Sequence, residues 1–164
     1  MTPVGQTVRW EVVETALAGR PASQGVFVAL GIVIKEKQMI ILLWRYFAIG
    51  AAGFAGTLAR FVVASLFGRL NFRFPIGTLF INVTGSLFLG WFLAHIALRN
   101  VSDTTRLAIA VGFCGGYTTF STFMYESSKL AQDGARFQAI VNLVGSLILG
   151  ILGFRLGMML ARWI

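Results

Sequence analysis

The residues from Gly112 to Phe123 read GFCGGYTTFSTF, and they bring glycine backbone, hydroxyls and aromatic rings together inside an apolar stretch. Gly115, Gly116, Tyr117, Thr118 and Thr119 are poor helix formers or β-branched, so this cluster predicts a helix broken near its centre. Backbone freed at membrane depth is tolerated only where protein or a water-filled path satisfies it. Carbonyls released around Gly115 and Thr118 can hold a hard cation such as sodium. The adjoining amides and the hydroxyls of Thr119, Ser121 and Thr122 can donate to an anion, and a purely structural kink accounts for the same residues. Phe120 and Phe123 flank the hydroxyls and, three residues apart, share a helical face. Such a pair either packs against lipid or a neighbouring helix, or turns its positive ring edges toward a small anion.

Three further groups stand out. Arg60 is the basic residue set well inside an apolar run, where a charge is costly and marks a functional path, a buried pairing or a side chain that snorkels to the interface. Glu126 follows Phe123 by about one turn and reads either as a vestibule carboxylate or as a solvated partner of Lys129. Asn82 to Gly90 reads NVTGSLFLG and Asn142 to Gly150 reads NLVGSLILG, an internal echo. Small residues such as Ser86 with Gly90, Ser146 with Gly150 and Gly153 with Gly157 let apolar helices approach closely. The two asparagines need partners for both ends of their amides.

The elements that carry these residues are membrane spans. Of 164 residues, 57% are hydrophobic and only 12% are charged, which leaves no polar surface for a soluble fold. A span takes about 20 apolar residues. Four stretches qualify: Met39 to Phe67, Pro75 to Leu98, Leu107 to Leu130, and Phe137 to Trp163. The organisation expected is thus a tail over residues 1–38, poorly ordered or interfacial, and a four-span all-α domain over residues 39–164. In the tail only Gly25 to Ile34 is continuously apolar, too short to cross, and Met39 is an alternative natural start. The single Cys114 excludes an internal disulfide, and the single His95 excludes a multi-histidine metal site. The net charge of +8 is scattered at span ends, which suits lipid headgroups and not nucleic acid.

Basic residues also set orientation. Arg45, Arg99, Arg106, Arg155 and Arg162 fall on one side, and Arg69, Arg73, Lys129 and Arg136 on the other, so without the tail there is almost no bias. A chain that inserts either way up can form an antiparallel homodimer about an axis in the membrane plane. Four spans enclose little space, so a pore calls for a second subunit.

The glycine-rich first span with Arg60, GTLFINVTGSLFLG from Gly77 to Gly90, and GFCGGYTTFSTF together resemble the CrcB/Fluc family of fluoride channels, from Trp44 to Arg162. The resemblance implies a dual-topology dimer with two antiparallel fluoride pores and a structural sodium ion at the interface. It assigns Phe120 and Phe123 to the pore wall, Asn82 to fluoride contact, and Ser121, Thr122 and Ser146 to a hydroxyl track. Gly115 and Thr118 become the carbonyl ligands of sodium, Arg60 the first-span arginine and Glu126 the vestibule acid. Residues 1–38 have no counterpart in the family, and Asn142 stands where other members carry different polar or aromatic residues.

The function expected is passive fluoride efflux across a bacterial inner membrane, protective because hydrogen fluoride enters cells as a neutral acid and ionises inside. Fluoride holds its hydration shell tightly, so a selective path must replace water with closely spaced donors and still release the ion. No GxxxxGK[ST] loop is present to bind nucleotide, and no enzymatic activity is expected. The alternatives are a small proton-coupled multidrug transporter, which needs a membrane-embedded carboxylate, and a non-transporting scaffold subunit.

Overall fold

A computed structural model describes residue 18 and residues 22–70, 72–97 and 99–163. All regular structure among these residues is helical, with no strand. Helix α1 covers Ala22–Gly68, α2 Ile76–Ile96, α3 Asp103–Leu107, α4 Cys114–Tyr117, α5 Phe120–Gln132 and α6 Arg136–Leu160, and a π-helical segment, Ala108–Phe113, joins α3 to α4. Four stretches are long and apolar enough to cross a membrane: Ile34–Gly68, Ile76–Ile96, Asp103–Gln132 and Arg136–Leu160. They lie close to the four expected from composition. The expected tail falls mostly on residues 1–17 and 19–21, outside the described residues, while α1 is already helical from Ala22.

The chain divides into one unit over residues 1–46 and another over residues 47–164. In the second unit the interior among the described residues is made largely by small residues, with few large ones. Among the described residues its most deeply buried larger side chains are Ile81 and Asn142, with Phe92 and Phe123 nearly covered, whereas Phe61, Phe137 and Leu147 stand out from the surface. That inversion suits a chain whose outside is hydrocarbon.

Helices α2 and α6 approach backbone to backbone. A Cβ on Gly90 would strike the Phe154 carbonyl, and one on Gly157 would strike the Leu87 carbonyl and crowd the Trp91 amide at 2.7 Å. Dispersion between backbones and small side chains replaces the hydrophobic effect that lipid cannot supply. The echo between the second and fourth spans is therefore accounted for in part: its Gly90 is a contact point, although Gly145 has open space around it. Overpacking costs about 1–3 kcal/mol. Gly157→Ala is accordingly expected to lower the thermal midpoint of the detergent-solubilised protein, followed by gel filtration after heating, and Gly145→Ala on the same helix is expected to leave it unchanged.

Candidate functional site

The third span is where the chain departs from regular helix. Ser102 caps α3 by accepting the Thr105 amide at 3.1 Å. The Thr118 amide still closes a helical turn onto the Cys114 carbonyl at 2.9 Å, and the Thr118 hydroxyl donates to the same oxygen. Thr118 and Thr119 then take extended dihedrals, with ψ at 158° and 119°. Helicity resumes at Phe120.

Asn82 occupies this interval. Its Nδ2 donates to the Thr119 carbonyl at 3.0 Å and its Oδ1 accepts the Thr119 amide at 2.8 Å, so one side-chain amide satisfies both backbone groups of one extended residue. This answers the partner requirement that the sequence imposed on Asn82. One Nδ2 hydrogen is left over. Because the Thr119 amide goes to Asn82, it does not close a turn onto Gly115, and the Gly115 carbonyl loses its ordinary helical donor.

Thr119 also caps α5. Its hydroxyl accepts the Thr122 amide at 3.3 Å and donates to the Thr122 hydroxyl at 3.0 Å. The amides of Phe120 and Ser121, in the first turn, have no intrahelical acceptor, so α5 begins inside the span with free donors and a positive dipole end. This is the electrostatic setting that favours an anion.

Two open grooves meet here. One, of about 620 Å³, brings together Asn82, Ser86, Phe120, Phe123 and Ser146. The other, of about 310 Å³, is lined by Asn82, Gly115, Thr118, Thr119 and Phe120 among others. The Phe120 and Phe123 ring centroids lie 5.9 Å apart at an interplanar angle of 56°. Their surroundings differ sharply: Phe123 is 5% exposed and Phe120 is 72% exposed. Ser121 and Thr122, grouped with them by sequence, are exposed and line neither groove.

Behind the rings runs a buried polar chain. Ser146 donates to Asn142 Oδ1 at 3.4 Å, Asn142 Nδ2 donates to Ser127 Oγ at 2.8 Å, and Ser127 donates to the Phe123 carbonyl at 2.8 Å. Asn142 is 1% exposed. It ties α6 to the turn that carries Phe123. Ser127 and Thr78 escaped the sequence reading, and Tyr117 entered it only as part of the helix-breaking cluster, whereas its hydroxyl lies 3.0 Å from that of Thr84. Thr78, Asn82 and Ser86 recur every fourth residue along an apolar helix, and that polar stripe was the available signal.

Arg60 and Glu126 lie apart from the grooves. Arg60 Nη1 donates to the Thr118 carbonyl at 3.4 Å, so it reaches backbone of the extended interval instead of a counter-charge. Glu126 is partly buried and neither a fully exposed carboxylate nor a partner of Lys129. Its Oε1 accepts the Thr78 hydroxyl at 2.8 Å, and its Oε2 is buried with no hydrogen-bond partner. The ion pair among the described residues is Arg106 with Asp103. Glu126 turns to Thr78 because the first turn of α2 carries that hydroxyl against α5.

Four spans, a lipid-suited exterior and a line of amides, hydroxyls and aromatic rings define a multi-pass membrane protein with a polar lining at membrane depth. Residues 47–158 match the family model described as CrcB-like protein, Camphor Resistance (CrcB), and the chain belongs to that family. Its curated relatives include the fluoride-specific ion channel FluC of Chlorobium chlorochromatii, 42% identical over 117 residues, covering 70% of this chain and 90% of the relative. Those of Prosthecochloris aestuarii and Acidobacterium capsulatum are 42% and 43% identical, covering 79% and 72% of this chain and 98% and 96% of the relatives.

Proposed function

We propose that this chain is a fluoride-selective channel subunit that lets fluoride leave the cell passively, and that it is not an enzyme. The observation that carries the reading is the Asn82 clamp on Thr119, which holds the start of α5 inside the span beside Phe120 and Phe123. Together with the named relatives, it supports a path lined by partial positive charge. Fluoride sheds water only where replacement donors stand close, and the spare Nδ2 hydrogen of Asn82, the Phe120 and Ser121 amides and the ring edges are such donors. None carries a full charge, so the ion is held loosely enough to move on.

The third span is broken at Thr118 and Thr119 in this reading, and the active form is an antiparallel homodimer in a bacterial inner membrane. Phe120 supports the pairing, since a ring 72% exposed beside two open grooves has its other wall to find. Leaving aside the tail, near-balanced basic residues at the span ends allow both orientations. Two functional parts follow: residues 39–164 form the channel, and residues 1–38 are an appendage to it.

Sodium fits the Gly115 and Thr118 carbonyls by chemistry. Both are neutral hard oxygens, one relieved of its helical donor and the other engaged by Arg60 at a long 3.4 Å. One chain offers too few oxygens to enclose a cation, so the same carbonyls of a twin would complete the shell. A bound sodium would supply fixed charge that welds the two extended intervals together. Arg60 shares the Thr118 oxygen and positions that carbonyl. Ser146 serves the path from the 620 Å³ groove, while Ser121 and Thr122 serve it from the exposed side of α5.

Purified protein in liposomes loaded with fluoride is expected to release it faster than chloride by orders of magnitude, read with ion-selective electrodes. Equal leakage of the two halides would defeat the reading. Glu126, a partly buried acid with an unpartnered oxygen, is the feature that favours a proton-coupled transporter. Uptake of an organic cation driven by a pH gradient would establish that rival instead.

A further inference from the structure

We propose that Arg155 is a steering residue for the anion path, a cation at the mouth of the 620 Å³ groove that raises the local concentration of fluoride. The proposal rests on the channel reading and adds a residue to it. The groove that gathers Asn82, Phe120, Phe123 and Ser146 continues along α6 to Arg155 and Met158. Arg155 is the ionisable residue among the groove's lining; every other lining group is neutral. It is exposed, and among the described residues it has neither an ion pair nor a side-chain hydrogen bond.

Its place on the helix gives that charge a purpose. Arg155 lies about two and a half turns beyond Ser146 and about one and a half turns before the end of α6 at Leu160. A guanidinium there extends toward the interface, where the groove meets water. The C-terminal carbonyls of α6 present about half a negative charge at the same end. Without a cation, an approaching anion meets that repulsion alone. Arg162 stands about two turns further on and does not line the groove.

A steering charge acts through space, so its signature is dependence on ionic strength and on charge, not on side-chain shape. The test is fluoride efflux from vesicles of zwitterionic lipid, carried out with the full chain and an impermeant salt. At about 10 mM ionic strength, where screening extends over about 30 Å, Arg155→Gln is expected to reduce flux ~3- to 10-fold and Arg155→Lys to restore it. At about 1 M, where screening falls to about 3 Å, the variants should converge within ~2-fold. Arg155→Gln flux equal to wild type at low salt would overturn the proposal. So would a loss that persists undiminished at high salt or that lysine fails to rescue, since either marks a structural role. A wild-type protein that carries no fluoride would overturn the channel reading along with it, whereas the first outcome leaves that reading standing.

Discussion

Asn82→Asp is expected to reduce fluoride flux by two to three orders of magnitude while leaving a protein that still assembles. The substitution keeps the oxygen that accepts the Thr119 amide and removes the nitrogen that donates to the Thr119 carbonyl. It also places a negative charge beside the path. Two like charges about 4 Å apart repel by about 4 kcal/mol at an effective dielectric constant near 20, which corresponds to about a thousandfold. Asn82→Leu separates the two causes, because it brings no charge but strands both backbone groups of Thr119. Each buried group left unsatisfied costs about 1–3 kcal/mol, so this variant should lose thermal stability as well as flux. Measured in the same vesicles, near-wild-type flux through Asn82→Asp would mean that no anion passes this amide.

Replacing Phe123 by isoleucine is expected to lower fluoride flux about tenfold or more, equivalent to at least about 1.4 kcal/mol in the barrier. The aliphatic side chain fills much of the buried site but has no positive ring edge to offer. Phe120→Ile should have a comparable effect on flux with less effect on stability, because Phe120 is 72% exposed and Phe123 only 5%. The checks are efflux by fluoride electrode and thermal denaturation in detergent. Unchanged flux in both variants would assign the rings to packing.

Much of the fold was legible because lipid imposes a simple rule: helices long enough to cross must be continuously apolar. The four stretches follow from that rule with little else. The α1 boundary did not, since nothing about Ala22 to Gln38 forbids a helix although its charges argue against a span. At the site, the type of residue was readable and its partner was not. Asn82 was flagged by the cost of an unpaired amide, but only the packing of α2 on the third span shows that Thr119 is the answer. Ser121 and Thr122 were read as anion donors from their hydroxyls and from the family resemblance, and the structure shows them exposed and outside the lining of either groove, with the Thr122 hydroxyl hydrogen-bonded to that of Thr119. Of the two readings of Glu126, a vestibule carboxylate or a partner of Lys129, the pairing came from its charged neighbour along the helix, whereas its bond is to Thr78, a residue remote in sequence and neutral. The π-helical segment Ala108–Phe113 had no sequence signal that periodicity detects, as its residues are ordinary helix or span residues.

The hold that Asn82 has on Thr119 also bears on how portable this motif is. The paired threonines that follow the double glycine are extended, and Thr119 is held so by an amide borrowed from another helix, so the segment is half of a device whose other half lies 37 positions earlier. Grafted into a different bundle without a matching asparagine at the same height, it should relax into plain helix, and engineers exchanging such segments between relatives would need to move both pieces as one cassette.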